Sequence, residues 1–229
     1  MNILFLCAYN RCRSPLADII AREYLKYHNI SNINIDSAGI NKNLIEGGKP
    51  CSASIEISDQ YNMDLSSFKI KKINTELLDK QDLIIIMDTS NETDLNIVTK
   101  SQYIDKTIKL GFIKTNTDII DPYNNLSEIE NVFNLIAENI NELLNNIEKF
   151  NKEYIYQKFI HNNENKLAIY VQKIELSEKQ IINILLENNE MVIYKLLDNE
   201  YLSKNHILTL TNHDNKSISN KAKLKLKEV

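Results

Sequence analysis

Glycine and proline run out early in this chain. All four glycines (39, 47, 48, 111) and all three prolines (15, 50, 122) lie before residue 123, and none follows. These residues punctuate turns and interrupt helices, so their absence divides the 229 residues into a mixed segment and a helical one. No apolar run approaches the ~18 residues of a membrane span, so no membrane association is expected. The apolar start, Met1 to Leu6, has no basic residue ahead of it and reads as a buried first strand, not an export leader. A net charge of −4 leaves no basic footprint for nucleic acid. The acidic excess lies in residues 1–150, while the remainder leans slightly basic. The four histidines (28, 161, 206, 213) show no metal-ligand spacing, and no metal or other cofactor is expected. Three cysteines, an odd number without an export signal, point to reduced thiols in a cytoplasm.

What is present suffices for a core: 43% of residues are hydrophobic and 25% charged. Strand and helix signals alternate through the first segment. Ile3–Leu6 is a compact apolar run, and Ser14-Pro15 has helix-start chemistry, a serine cap with proline at the first helical position. Ile33 to Ile35 reads as a second strand, ending at Ser37-Ala38-Gly39, and a helix is expected over about 52–63. Asp82 to Met87 carries the continuous apolar pattern of a strand buried on both faces. A weaker strand covers Ile108 to Leu110. Ser127-Glu128-Ile129-Glu130 has the form of a capping box opening a long amphipathic helix to about Phe150. Alternation of this kind implies an α/β fold, a parallel sheet with helices on both faces. Ligands in such sheets sit beyond the carboxyl ends of strands, which is where Cys7 falls.

The loop Cys7-Ala8-Tyr9-Asn10-Arg11-Cys12-Arg13-Ser14 carries the chemistry. Cysteine attacks as thiolate, whereas a free thiol titrates near about 8.5. Three features favour the thiolate here: backbone N–H groups turned inward by the loop, the positive end of the following helix, and a hydroxyl donor in Ser14. The same amides, from Ala8 through Ser14, suit a phosphate oxyanion. Arg13 adds a planar fork matched to two phosphate oxygens. Asn10 supports the loop, since asparagine tolerates left-handed backbone, and Arg11 stands at the rim. Gly-x4-Gly-Lys is absent, so this is not a nucleotide-binding loop but a nucleophile's loop. Transfer to Cys7 needs an acid for the departing oxygen. Asp121, in Asp121-Pro122-Tyr123, is the candidate, with proline stiffening the loop that holds it.

Ile3 to Pro15, Ser37-Ala38-Gly39, Ile85-Ile86-Met87 and Asp121-Pro122-Tyr123 together resemble, in order and spacing, the low-molecular-weight protein tyrosine phosphatase family. The resemblance covers residues 1–150. It implies a four-stranded parallel sheet with flanking helices, a metal-free phosphocysteine mechanism and phosphotyrosine in a protein as substrate. Carried over, Cys7 is the nucleophile, Arg13 the phosphate binder, Asp121 the acid, and Cys12 a redox partner that forms a reversible disulfide with Cys7. Tyr9, Asn43 and Tyr123 are the expected walls of the substrate slot. The chain departs from the family at Ala8, Tyr9, Asn43 and Asn124, so the slot has its own shape. Cys51 is expected to be inert.

Two other functions fit the loop. A thioredoxin-coupled arsenate reductase would need relay cysteines after the Ile84–Met87 strand, where Asp88-Thr89-Ser90-Asn91 offers none. A non-catalytic module that binds phosphorylated ligands is the other. Beyond 151 the chain reads as all-helical, with loose matches at an offset of 26 residues: Leu176-Ser177 with Leu202-Ser203, and Asn162-Asn163-Glu164 with Asn188-Asn189-Glu190. Such a period suggests stacked helical pairs, HEAT-like or variant leucine-rich repeats, with a protein partner as the expected ligand.

Overall fold

The structure, a computed structural model, describes residues 1–228 and, at Asn124, the backbone alone. The expectation about the Asn124 side chain lies outside the described residues. The chain separates into two compact units, Met1–Asn151 and Lys152–Val229.

In the first unit, four parallel strands form one sheet: β1 (Asn2–Cys7), β2 (Asn34–Gly39), β3 (Leu83–Ile86) and β4 (Thr107–Lys109), in the order β2-β1-β3-β4. Leu4 pairs with both Asp36 and Ile84, so β1 lies at the centre. Every residue of Ile3–Leu6 and Leu83–Ile86 is fully buried. This is why both strands read as unbroken apolar runs and not as alternating ones. Leu4, Leu6, Ile84 and Ile86 face one layer with Leu78 and Leu95, from helices α3 (Thr75–Asp79) and α4 (Thr89–Thr99). The alternate residues point to the other face. There α1 (Arg13–Tyr27) packs on the sheet and on α5 (Ile129–Asn145), while α2 (Ser52–Gln60) packs against both helices.

Two expected helix starts differ. Helix α1 begins at Arg13 with Cys12 as its cap residue, so Pro15 is the third helical position, not the first. Ser14 does not cap because its hydroxyl is engaged with Cys7 and Asn10. Proline still costs nothing there, since first-turn N–H groups lack intrahelical partners. The expected capping box at Ser127 does not form. The Ser127 hydroxyl instead donates to Asn125 Oδ1, a 3₁₀ turn at Leu126–Glu128 intervenes, and α5 starts at Ile129 and ends at Asn145.

With glycine scarce, asparagine takes left-handed positions. Asn10, Asn29, Asn62, Asn116 and Asn188 all have φ between 52° and 57°, the region that asparagine enters more readily than most side chains.

The second unit is helical throughout: α6 (Lys152–Ile155) with a wider π turn at Tyr156–Ile160, then α7 (Glu164–Lys173), α8 (Glu178–Glu187), α9 (Glu190–Leu196), α10 (Lys204–Leu210) and α11 (Lys216–Lys225). Its caps recur at 26 residues, Asn163, Asn189 and Asn215 before α7, α9 and α11, and Ser177 and Ser203 before α8 and α10. Each later asparagine cap has a double use. Asn189 accepts from the Val192 amide and donates to Glu164, and Asn215 likewise accepts from Ser217 and donates to Glu190. The capping residue of one helix thus ties it to the start of an earlier one. Among the described residues no helix is long and apolar enough to cross a membrane.

Candidate active site

The central strand delivers Cys7 to the carboxyl end of the sheet, and the loop that follows wraps a cavity of about 350 Å³. Cys7, Tyr9, Arg11, Cys12 and Arg13 line it together with Asp121 and Tyr123 from the far loop. The other loop residues support it from behind. Asn10 is fully buried in left-handed backbone (φ 52°). It donates from Nδ2 to Ser14 Oγ at 2.9 Å and accepts the Lys71 amide at 2.9 Å. Ser14 Oγ in turn lies 3.1 Å from Cys7 Sγ. With a thiolate at Cys7 only the hydroxyl has a proton to give, so the chain Asn10 to Ser14 to Cys7 delivers a hydrogen bond to the sulfur.

Gly39 follows from the same crowding. A side chain there would strike Leu44 and come within 2.9 Å of the Tyr9 carbonyl carbon. The end of β2 therefore has to be bare for the loop to lie against it.

Arg13 is only 2% exposed, and both of its terminal nitrogens are engaged. Nη1 donates to Asp88 and, at 2.9 Å, to the Ile119 carbonyl; Nη2 donates to Asp121 Oδ2 at 2.6 Å. Burial pulls the guanidinium's pKa down, but the charges of Cys7, Asp88 and Asp121 outweigh it and leave the group above its ordinary value. Asp88 escaped the sequence reading. It does two jobs, capping α4 through the Asn91 amide at 2.7 Å and holding Arg13. Its signal was present: an acidic residue just past the carboxyl end of an apolar strand, at the start of a helix.

The Asp121 loop is anchored close by. The Ile119 amide bonds to the Met87 carbonyl at 2.9 Å. Asp118 accepts from Lys109 Nζ at 2.9 Å and from the Thr89 hydroxyl at 2.8 Å. Burial raises the Asp118 carboxyl, but those bonds outweigh it and set the group below its usual range. Asp121 itself accepts the Tyr123 amide at 3.1 Å, and Tyr123 is 72% exposed at the cavity mouth.

Two expectations about this region are corrected. Asn43 does not reach the cavity; it lines a neighbouring groove, because its amide turns back to Asn41 Oδ1 at 2.8 Å. The cysteines also differ, both in pairing and in not all being the reduced thiols expected. Cys12 is joined to Cys51 across a Cα–Cα distance of 5.7 Å, and Cys7 is the free thiol. The physical reason is the bond from the Cys51 amide to the Arg11 carbonyl at 2.8 Å, which lays the start of α2 against the loop. Cys51 is thus a neighbour of the loop and not an inert bystander. Protein prepared without reductant, alkylated under denaturing conditions and then digested is expected to yield a Cys12–Cys51 cross-linked peptide, with Cys7 the alkylated cysteine. Closing a loop of 39 residues adds about 4 kcal/mol in chain-entropy terms. A Cys7–Cys12 cross-link in that digest would instead return Cys12 to the role first expected of it.

Among the described residues, no cluster of His, Cys, Asp or Glu is arranged to hold a metal ion. Residues 2–153 match the family described as low molecular weight phosphotyrosine protein phosphatase. The chain belongs to this family.

The low molecular weight protein-tyrosine-phosphatase PtpA of Staphylococcus haemolyticus is 30% identical over 157 residues, 65% of this chain and 95% of that protein. Ptp of Acinetobacter johnsonii, of the same description, is 33% identical over 123 residues, 53% of this chain and 80% of its own. Among solved structures, YfkJ from Bacillus subtilis is similar at 29% identity with a TM-score of 0.60, covering 65% of this chain and 95% of that one. The YwlE arginine phosphatase, at 22% identity and a TM-score of 0.59 over 65% and 97% of the two chains, shares the fold. The family match ends at residue 153, so most of the helical unit lies outside it.

Proposed function

We propose that the first unit hydrolyses phosphate monoesters of protein tyrosine through a phosphocysteine intermediate on Cys7. The observation that carries this is the convergence of Cys7, Arg13 and Asp121 on one cavity with tyrosines at its mouth. A phosphate dianion entering the cavity competes with Asp88 and Asp121 for the Arg13 fork. Asp88 is the more enclosed and stays as the positioning carboxylate. Asp121, with a side chain 44% exposed, is the one free to turn to the leaving oxygen. Released from Arg13, Asp121 takes up a proton from solvent; the Cys7 thiolate attacks phosphorus, the ester P–O bond breaks, and Asp121 gives that proton to the departing phenolate. Asp121, now a carboxylate, takes a proton from water as that water attacks the phosphocysteine. Inorganic phosphate leaves and the thiolate is restored. Arg13 holds the equatorial oxygens through both steps.

Tyr9 and Tyr123 favour an aromatic ester, since flat rings pack well on flat rings. The Asn41 side chain fixes Tyr9 by donating to its hydroxyl at 3.0 Å. This reading makes phosphotyrosine a better substrate than phosphoarginine. The cytoplasm is the compartment that fits a phosphoprotein substrate, and the evenly capped helices of the second unit are the candidate surface for a protein partner. The relay cysteines of an arsenate reductase are missing after β3, and an exposed carboxylate beside Cys7 in the same cavity favours turnover over binding alone.

The test is turnover of a phosphotyrosyl peptide, a phosphoarginyl peptide and p-nitrophenyl phosphate at about pH 5–7. Asp121→Asn is expected to slow the phosphotyrosyl peptide about 10²–10³-fold. The loss should be smaller for p-nitrophenyl phosphate, whose leaving group depends less on protonation. Equal losses on both esters would remove Asp121 from the acid role, and no turnover of any substrate would leave only a binding function.

A further inference from the structure

A second concavity of about 360 Å³ adjoins the catalytic cavity, and Tyr9 and Arg11 line both. Its floor is apolar: Leu44 is 9% exposed and Ile70 5%. Ile45 stands out into solvent at its edge. Arg11 and Lys49 form the rim. Neither has an acidic partner among the described residues, and no carboxylate lines the groove. Glu46, the one acidic residue between Asn41 and Cys51, is turned away to accept the Lys72 amide at 2.9 Å.

The segment that builds the groove is fixed in place. At one end the Asn41 amide bonds to the Ala8 carbonyl at 2.9 Å, and at the other the Cys51 amide bonds to the Arg11 carbonyl at 2.8 Å. Between them the Gly47 amide bonds to the Ile70 carbonyl, and the Ile70 amide to the Gly48 carbonyl. The groove is thus a preformed extension of the catalytic cavity, with an apolar base and two uncompensated cations.

We propose that this groove is a substrate subsite for the polypeptide flanking the phosphorylated residue, and that it selects an aspartate or glutamate there. The inference rests on the phosphotyrosine reading above. Continuity through Tyr9 and Arg11 places the occupant on the same chain as the phosphate. The apolar floor takes the body of a neighbouring side chain, and the unpaired cations take a carboxylate at its end. A basic flanking residue would meet Arg11 and Lys49 and be repelled.

The experiment uses the full chain carrying Cys7→Ser and measures binding of two phosphotyrosyl peptides that differ only in having glutamate or lysine beside the phosphotyrosine. The glutamate peptide is expected to bind about five- to tenfold tighter, with the difference shrinking as salt is raised. Adding Lys49→Glu should abolish or invert that preference. In the active protein, Lys49→Glu should leave p-nitrophenyl phosphate turnover unchanged. Equal binding of the two peptides overturns the subsite, as does a preference that survives Lys49→Glu. An equal loss on peptide and p-nitrophenyl phosphate also overturns it, and Lys49→Gln repeats the comparison if the charge reversal does not fold. A peptide preference without turnover in the active protein would keep the subsite and remove the phosphatase reading, whereas turnover without preference would do the reverse.

Discussion

Cys7→Ser is expected to lower turnover of every phosphate ester by about 10⁴-fold or more while leaving phosphate binding nearly intact. A serine hydroxyl occupies the same space but is far less ionised than a thiol, so the attacking charge is lost while the cavity keeps its shape. Arg13, Asn10 and Ser14 are untouched, and Ser14 loses only its bond to sulfur. Single-turnover kinetics and a phosphate-binding titration on the same sample make the comparison. Residual activity within tenfold of the parent would mean that another group carries the attack, and loss of binding together with turnover would mean that the loop had collapsed.

Arg13→Lys is the second large effect, and it separates two roles of one side chain. Lysine keeps the positive charge but loses the fork, so it cannot grip two phosphate oxygens at once. We expect kcat/KM to fall about 10³-fold, equivalent to about 4 kcal/mol of transition-state stabilisation. Folding stability should fall too, because Arg13 joins Asp88, the Ile119 carbonyl and Asp121 in the free enzyme. The loss should be about 1–3 kcal/mol by urea unfolding, limited because Asp121 is well exposed to solvent. Adding Asp88→Asn to Arg13→Lys leaves the buried lysine charge with one carboxylate fewer, so stability should fall further and activity should stay low. If both recover, the arginine is a structural tie and not a phosphate clamp.

Those two residues were legible because their signals are local. An apolar run, then Cys7 and Arg13 at fixed spacing, is a strand, a loop and a helix start in one stretch of chain. Asp121 could be read for the same reason, since Asp-Pro marks a stiff turn after a strand. The offset of 26 residues in the helical segment was also visible, and the helix caps at Asn163, Asn189 and Asn215 recur at it. The misses have a shared cause. Ser14 carries a helix-cap signature, but its hydroxyl is taken by Asn10 and Cys7. Ser127 spells a capping box, but its hydroxyl bonds to Asn125 instead. In both cases a side chain had two partners available, and the better-placed one won.

The sequence by itself determined the parallel α/β unit, the cysteine loop between the first strand and helix, and the helical second unit, because periodicity, glycine and proline placement and motif spacing are written along the chain. Only the tertiary structure decided that Asp88 shares Arg13 with Asp121, that Cys51 and not Cys7 lies against Cys12, and that Asn43 belongs to a neighbouring groove. Each of these depends on how segments distant in sequence, from the loop at Cys7 to the loop at Asp121, are brought together at one end of the sheet. Pairing of that kind is fixed by packing and by competition for hydrogen-bond partners, which no local pattern records.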